Sequence, residues 1–346
     1  MSQPRILIIR TDRVGDVVLS TPVVRALRAA YPEGYLAMMV RPGNRELVEG
    51  NPDLNAVFLY DKDGPEKSWA GTLRFARRLK AEKFDTALIL HSTNRVIWTS
   101  WLAGIPSRLG YARRLPWLLT DRLPYVKPEG DRHELEYNLD LLRSIGIEPK
   151  EKALFIPTTP AQEEKVNAYL RQHQVDANRP IVVLHPGASC PSKRWPVERF
   201  AALGDQLAQR HQATVLVMTG PGEIPQGEAV LRKMGQKAVP VLGVFSLGET
   251  ACLLRKSRCL VSNDSGPVHL AGAMRTPVVS IFGRWGGGLS PRRWGPTGPN
   301  SAVLHRDIGC RPCLAHDCTI GFECLNAISV DEVVSRDESN SPINGS

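Results

Sequence analysis

The chain has 346 residues, 42% hydrophobic and 23% charged, with a formal net charge of +9. These are globular values that exclude a disordered or low-complexity chain, and the length suits about two domains of ordinary size. The longest apolar runs, such as 6–9 and 213–218, are strand-length pieces, far short of the roughly 20 residues of a membrane-spanning helix, and without a signal-like start a cytoplasmic location is expected.

Residues 5–10 read as a buried strand and 17–30 as a helix, with Val18, Val23, Ala26, Leu27 and Ala30 at helical spacing. Short apolar strands are predicted over 35–40, 56–60 and 86–91, with a helix over 68–82 between the last two. Such alternation calls for a parallel sheet covered on both faces. A helix over 134–145 ends at Gly146, a good C-terminal cap. Residues 148–160 carry three prolines and little pattern, which places a domain boundary near residue 155. The second half repeats the design, with strands over 180–184, 213–218, 259–262 and 277–282 and helices over 196–210, 226–234, 247–255 and 266–273. The expected fold class is α/β, with Rossmann-like domains over 1–155 and 156–335. A polar tail over 336–346 is expected to be disordered. In such sheets ligands bind beyond the carboxyl ends of the strands, so chemistry is sought in the loops that follow them.

The first such loop, Thr11-Asp12-Arg13-Val14-Gly15-Asp16, holds one glycine where a dinucleotide fingerprint needs G-x-G-x-x-G. A nicotinamide-dependent oxidoreductase is therefore disfavoured. Asp16 falls where a helix begins, either as a cap or as a general base kept ionised by the helix dipole. In the second half, His185-Pro186-Gly187-Ala188-Ser189 and Lys193-Arg194-Trp195-Pro196 join a strand to a helix. Small residues and free amides there suit a phosphate, and Lys193 supplies balancing charge. The spacing is not that of a P-loop, and the segment could equally be a plain connection. Thr219-Gly220-Pro221-Gly222-Glu223 allows close backbone approach, with Glu223 able to accept from ribose hydroxyls. Ser262-Asn263-Asp264-Ser265-Gly266-Pro267-Val268-His269 is again strand, loop and helix start.

The N-terminal charge excess is local. Arg95, Arg108, Arg113, Arg114, Arg122 and Lys127 face only Asp121 over 95–127, interleaved with Trp98, Trp101 and Trp117. That mixture suits an anionic lipid surface better than a DNA groove, and the alternative is a solvated face over core tryptophans. No nucleic-acid motif is present, so no nucleic-acid partner is expected.

Taken together, RTDRVGDVVLSTP, HPGAS with KRWP, TGPGE, SNDSGPVHLAGAMRTPVVSIFG and the cysteine-bearing segment near the end closely resemble glycosyltransferase family 9, the ADP-heptose:lipopolysaccharide heptosyltransferases. The resemblance runs from residue 5 to about 334 and is closest to the heptosyltransferase II type. It implies a GT-B architecture, an N-terminal acceptor domain and a C-terminal nucleotide-sugar domain facing across a central cleft. It further implies inverting transfer of heptose from ADP-heptose to the inner core on lipid A, with no obligatory cofactor, by a monomer peripheral to the inner face of the inner membrane. The implied catalytic residues are Asp16 and Lys193. Donor contacts fall on Gly187, Ser189, Lys193, Glu223, Asp264, Ser265, Gly266 and His269, and Arg95, Arg108, Arg113 and Arg114 are assigned to the anionic acceptor. Two alternatives stay open: the same chemistry on a protein or another surface glycan, and a nucleotide-sugar-binding protein without turnover.

Cys310, Cys313, Cys318 and Cys324 have the spacing C-x₂-C-x₄-C-x₅-C. Four thiolates so placed could close a structural zinc or iron site, or stand as reduced or opportunistically oxidised thiols. No catalytic metal is expected.

Overall fold

The alternation of short apolar strands with amphipathic helices produces two sheets of six parallel strands each. The computed structural model describes residues 3–298, 300–310 and 313–340. They divide into two units, one taking in the chain to Pro128 with Arg132–Pro157, the other Glu129–Asp131 and the chain from Thr158.

The first unit contains β1 (Arg5–Ile9), α1 (Val14–Val18), α2 (Thr21–Ala30), β2 (Tyr35–Val40), β3 (Ala56–Leu59), α3 (Trp69–Ala81), β4 (Thr86–Ile89), α4 (Asn94–Leu102), β5 (Ser107–Tyr111), β6 (Asp121–Leu123) and α5 (Glu134–Arg143). Its strand order is β3-β2-β1-β4-β5-β6. Ile6 to Ile9 are buried on both faces of the sheet, as a central parallel strand requires. Leu7 and Ile9 pack with Met39, Phe58, Phe75 and Ile89 on one side.

The helix expected over 17–30 is two helices. Pro22 has no N–H for the Val18 carbonyl, which instead accepts from the Thr21 hydroxyl at 2.8 Å. The Ser20 hydroxyl takes the Asp16 carbonyl at 2.8 Å. Asp16 lies inside α1, in its first turn, and the N-cap position is Arg13. The basic stretch over 95–127 carries most of α4 together with β5 and β6, with Thr93 capping α4 through the Val96 amide.

The second unit contains α6 (Pro160–Gln172), β7 (Ile181–His185), α7 (Val197–Arg210), β8 (Thr214–Thr219), α8 (Ile224–Lys233), β9 (Val239–Leu242), α9 (Leu247–Lys256), β10 (Cys259–Asn263), α10 (Gly266–Ala273), β11 (Val278–Phe282), α11 (Pro291–Trp294), β12 (Ser301–His305), α12 (Glu323–Asn326) and α13 (Val330–Asn340). The order is β12-β11-β10-β7-β8-β9. Val182, Leu184, Val217, Val261 and Ile281 form the centre of its core with Trp195 and Phe200. α6 starts where prolines had suggested only a linker: Thr159 and Gln162 form a reciprocal capping box, and Pro160 occupies a first-turn position that needs no N–H. α13 runs to Asn340, so the tail expected to be disordered from 336 begins as helix; 341–346 lie outside the described residues.

In both sheets the first strand of the unit lies between strands reached by opposite crossovers, β1 between β2 and β4 and β7 between β8 and β10. These are the switch points at which open α/β sheets leave room for ligands.

Candidate active site

At the switch point of the first unit the chain leaves β1 with Arg10, a guanidinium only 2% exposed. Its Nε–H donates to Asp12 Oδ1 at 2.8 Å. Nη2 donates to Asp16 Oδ1 and, at 3.1 Å, to Glu134 Oε1. Nη1 reaches the Leu90 carbonyl at 3.3 Å and Asn138 Oδ1 at 2.9 Å. Lys127 Nζ donates to Glu134 Oε1 at 2.7 Å. Lys127, counted from sequence in the basic surface patch, is thus buried in this network. Burial works against the Arg10 charge, but Asp12, Asp16 and Glu134 outweigh it and hold the guanidinium ionised. Burial pushes the Asp12 carboxyl up to about 7; Arg10 opposes the rise, while Asp16 and Glu134 add to it.

The other expected residues of this unit separate into two kinds. Arg95 donates to the Lys62 carbonyl at 3.1 Å, and Arg108 to the Leu118 carbonyl at 2.7 Å and the Pro106 carbonyl at 3.2 Å. Both guanidiniums tie backbone together. Arg113 and Arg114 are exposed in the turn after β5, Arg113 lying 5.2 Å over the Tyr125 ring. Trp117 is 71% and Trp101 44% exposed.

At the switch point of the second unit, Lys193 Nζ meets Asp264 Oδ2 at 2.7 Å and the Asp264 carbonyl at 3.1 Å. Arg284, which follows β11, meets the same Oδ2 at 3.2 Å. All three residues are buried. Burial lowers the Lys193 pKa, Asp264 opposes the fall, and Arg284 adds to it. Two cations therefore share one carboxylate beside the first turn of α10, whose leading amides come from Gly266 onward.

The surrounding loops are locked to this centre. Asn263, buried, accepts from the Trp195 amide at 3.0 Å and donates to the Pro186 carbonyl at 2.8 Å, which joins the loop after β7 to the one after β10. His185 Nε2 lies 3.4 Å from Glu223 Oε2, and its Nδ1 lies 3.3 Å from the Ser265 hydroxyl. Burial raises the Glu223 pKa, but His185, the Gly220 amide and Arg194 bring it below the ordinary carboxylate value. A Cβ at Gly187 would stand 2.2 Å from Glu223 Oε2, so the glycine is what lets that carboxylate lie against the loop. Ser189 is exposed at the loop tip, and His269 is buried within α10. Arg194 turns back on the Ala188 carbonyl, at 2.9 Å from Nη2 and 3.0 Å from Nε. The structure thus gathers Lys193, Asp264, Gly187, Glu223 and Ser265 at the ends of neighbouring strands. It adds Arg284 and Asn263, which sequence reasoning did not single out.

The four late cysteines line a cavity of about 200 Å³ with Trp285 and Phe322. All are free thiols. Cys324 donates to the Gly283 carbonyl at 3.1 Å and Cys318 accepts from the Phe322 amide at 3.4 Å. Among the described residues no group of three or more His, Cys, Asp or Glu is arranged to hold a metal ion.

Comparison with known proteins shows the family. The family model for glycosyltransferase family 9 (heptosyltransferase) matches residues 72–322. Lipopolysaccharide heptosyltransferase 2 of Escherichia coli K12 is 25% identical over 296 residues, covering 81% of this chain and 82% of that protein. The crystal structure of a family 9 glycosyl transferase from Veillonella parvula superposes with a TM-score of 0.88 at 23% identity, covering 98% of each chain. The structure of E. coli ADP-heptose LPS heptosyltransferase II superposes at 0.80 and 22% identity, covering 97% of this chain and 98% of that one. With its matching segment covering more than half of the chain, the chain belongs to glycosyltransferase family 9 and is a glycosyltransferase of the heptosyltransferase kind.

Proposed function

We propose that the protein transfers heptose from ADP-heptose to the inner core of lipopolysaccharide with inversion at the anomeric carbon. The observation that carries the donor assignment is the pairing of Lys193 and Arg284 on the single carboxylate of Asp264, beside the first turn of α10. Two buried cations against one anion leave a net positive charge where a diphosphate would lie. Glu223, held ionised, suits ribose hydroxyls, and the missing side chain at Gly187 leaves the room its carboxylate occupies.

In a single displacement the acceptor hydroxyl attacks the sugar carbon, its proton passes to a base, and ADP leaves with the electrons of the broken C–O bond. Asp16, at the switch point of the first unit, is the base of this reading. Lys193 and Arg284 offset the charge that grows on the departing diphosphate. No step calls for a metal or other cofactor. In this scheme the first unit receives the acceptor and the second the donor. Exposed Arg113, Arg114, Trp101 and Trp117 favour an anionic lipid surface as the place of action, peripheral to the inner face of the inner membrane. Among the described residues no helix is long and apolar enough to cross a membrane.

The test is incubation with ADP-heptose and deacylated inner-core acceptor. Release of ADP with one added heptose of inverted anomeric configuration is expected. Transfer confined to a protein or another glycan would replace the acceptor, and use of a different nucleotide sugar would replace the donor.

A further inference from the structure

Two carboxylates at the switch point of the first unit lie where a single one would suffice. The Nε–H and one Nη2–H of a guanidinium point along the same edge, the edge that one carboxylate ordinarily takes with both oxygens. On Arg10 that edge is divided, with Asp12 Oδ1 on Nε and Asp16 Oδ1 on Nη2. We propose that Asp12 and Asp16 work as one carboxylate pair bridged by Arg10, in which Asp12 is a positioning residue that sets the proton affinity of the pair toward the acceptor hydroxyl. The proposal rests on Asp16 being the base.

The charges around the pair come from every element packed on it. β1 supplies Arg10, and α5 supplies Glu134 and the neutral Asn138. Glu134 is answered by Lys127 at 2.7 Å, from the turn before α5. After β4 comes His91, whose Nδ1 lies 3.7 Å from Asp12 Oδ2; burial, with Arg10 next, lowers its pKa to about 4, so it stays neutral. Arg113, after β5, acts in the same direction on His91. Arg13, between the two aspartates, is exposed. With Glu134 and Lys127 balanced, Arg10 offers one positive charge to two carboxylates.

Two like charges on one edge oppose each other's ionisation. Asp12 carries the burden, its carboxyl pushed up to about 7, chiefly by burial. Near neutral pH Asp12 thus stands between its acid and its carboxylate form. As the acceptor O–H bond breaks, its electron pair forms the new bond to the anomeric carbon, the diphosphate leaves with the electrons of the old one, and the proton settles on the pair. That arrival relieves the repulsion between the carboxylates, an advantage a lone aspartate lacks.

Asp12→Asn keeps an oxygen acceptor for the Arg10 Nε–H and removes the charge. With ADP-heptose and deacylated core, the wild-type kcat/KM should rise with pH through a limb near 7. In Asp12→Asn that limb should move into the ordinary carboxylate range and the plateau should fall about 3- to 10-fold, the yield of a weaker base at partial proton transfer. A limb that stays in place would overturn the pairing. Asp16→Asn separates the two ideas: a loss of about 10²-fold or more supports the base, and an unmoved Asp12→Asn limb beside that loss defeats the pairing alone. Near-normal turnover in Asp16→Asn defeats the base reading itself. If Asp12→Asn fails to fold, carboxyl carbon NMR of the unaltered protein decides. Two aspartate signals that both shift near pH 7 support the pair, and two separate titrations in the acid range overturn it.

Discussion

The two units place opposite charge imbalances at equivalent points of their sheets. Beyond β1, Asp12, Asp16 and Glu134 surround Arg10 and Lys127, an excess of carboxylate. Beyond β7 and β10, Lys193 and Arg284 surround Asp264, an excess of cation. Buried charges are tolerable only when paired, so each imbalance costs stability that a fully matched cluster would keep. The difference teaches what each cluster lacks: the first is short of one proton, the second of one anion. In the proposed reaction, displacement of a diphosphate by a hydroxyl supplies both.

The contrast can be broken most severely at Glu134. Glu134→Gln leaves Arg10 and Lys127 without their shared buried carboxylate, and a loss of about 3–5 kcal/mol is expected in urea unfolding. Should the variant unfold at the wild-type midpoint, the network is not what holds the loop after β1. In the second unit, Lys193→Ala and Arg284→Ala should each lower kcat by about 10²- to 10³-fold, more than they weaken ADP-heptose binding, because the charge they meet grows in the transition state. Their double variant should lose less than the product of the two, since both act through Asp264. Losses confined to donor affinity would reduce both cations to tethers. Arg194 makes a poor neutral comparison, because its removal frees the Ala188 carbonyl.

A smaller effect sharpens the comparison through pH. The Asp12 carboxyl, raised from 3.8 to about 7, binds its proton more tightly in the folded protein than in the unfolded chain. That stabilisation is complete below pH 4 and is lost as pH rises through 7. Unfolding midpoints should therefore fall over that range, and Asp12→Asn should flatten the slope while leaving neutral-pH stability no lower. Smallest is the surface term. Reversing Arg113 and Arg114 should raise the acceptor KM a few-fold and weaken binding to anionic vesicles, an effect that fades with salt, with donor kinetics unchanged. Indifference of both readouts would leave these arginines as a solvated turn.

Strand and helix order was legible wherever apolar periodicity was strong, as at β1, β2, β7, β8, β10 and β11, and the post-strand loops then located Lys193, Glu223 and Asp264. Boundaries failed where one side chain overrode periodicity: Pro22 splits a helix that the apolar spacing runs together. α6 was overlooked although its signal was present, because three prolines outweighed the Thr159 and Gln162 capping pair. Arg284 and Arg10 could not be found by spacing. Each owes its role to a partner brought close only by the sheet, Asp264 twenty residues away and Glu134 at a separation of 124. The four cysteines carry a ligand-like spacing that brings their thiols to one cavity, where Cys318 and Cys324 also meet backbone groups.

That separation of 124 residues has a consequence for synthesis. The ribosome makes Arg10 and then the rest of the first sheet, all six strands of it, before α5 exists. Until Glu134 emerges, a guanidinium at the centre of the sheet has no buried carboxylate behind it, and the loop bearing Asp12 and Asp16 has no floor. Vectorial growth therefore orders assembly, sheet first and loop last. Nascent chains stopped short of residue 134 should keep residues 10–16 open to proteases after the strands have become resistant.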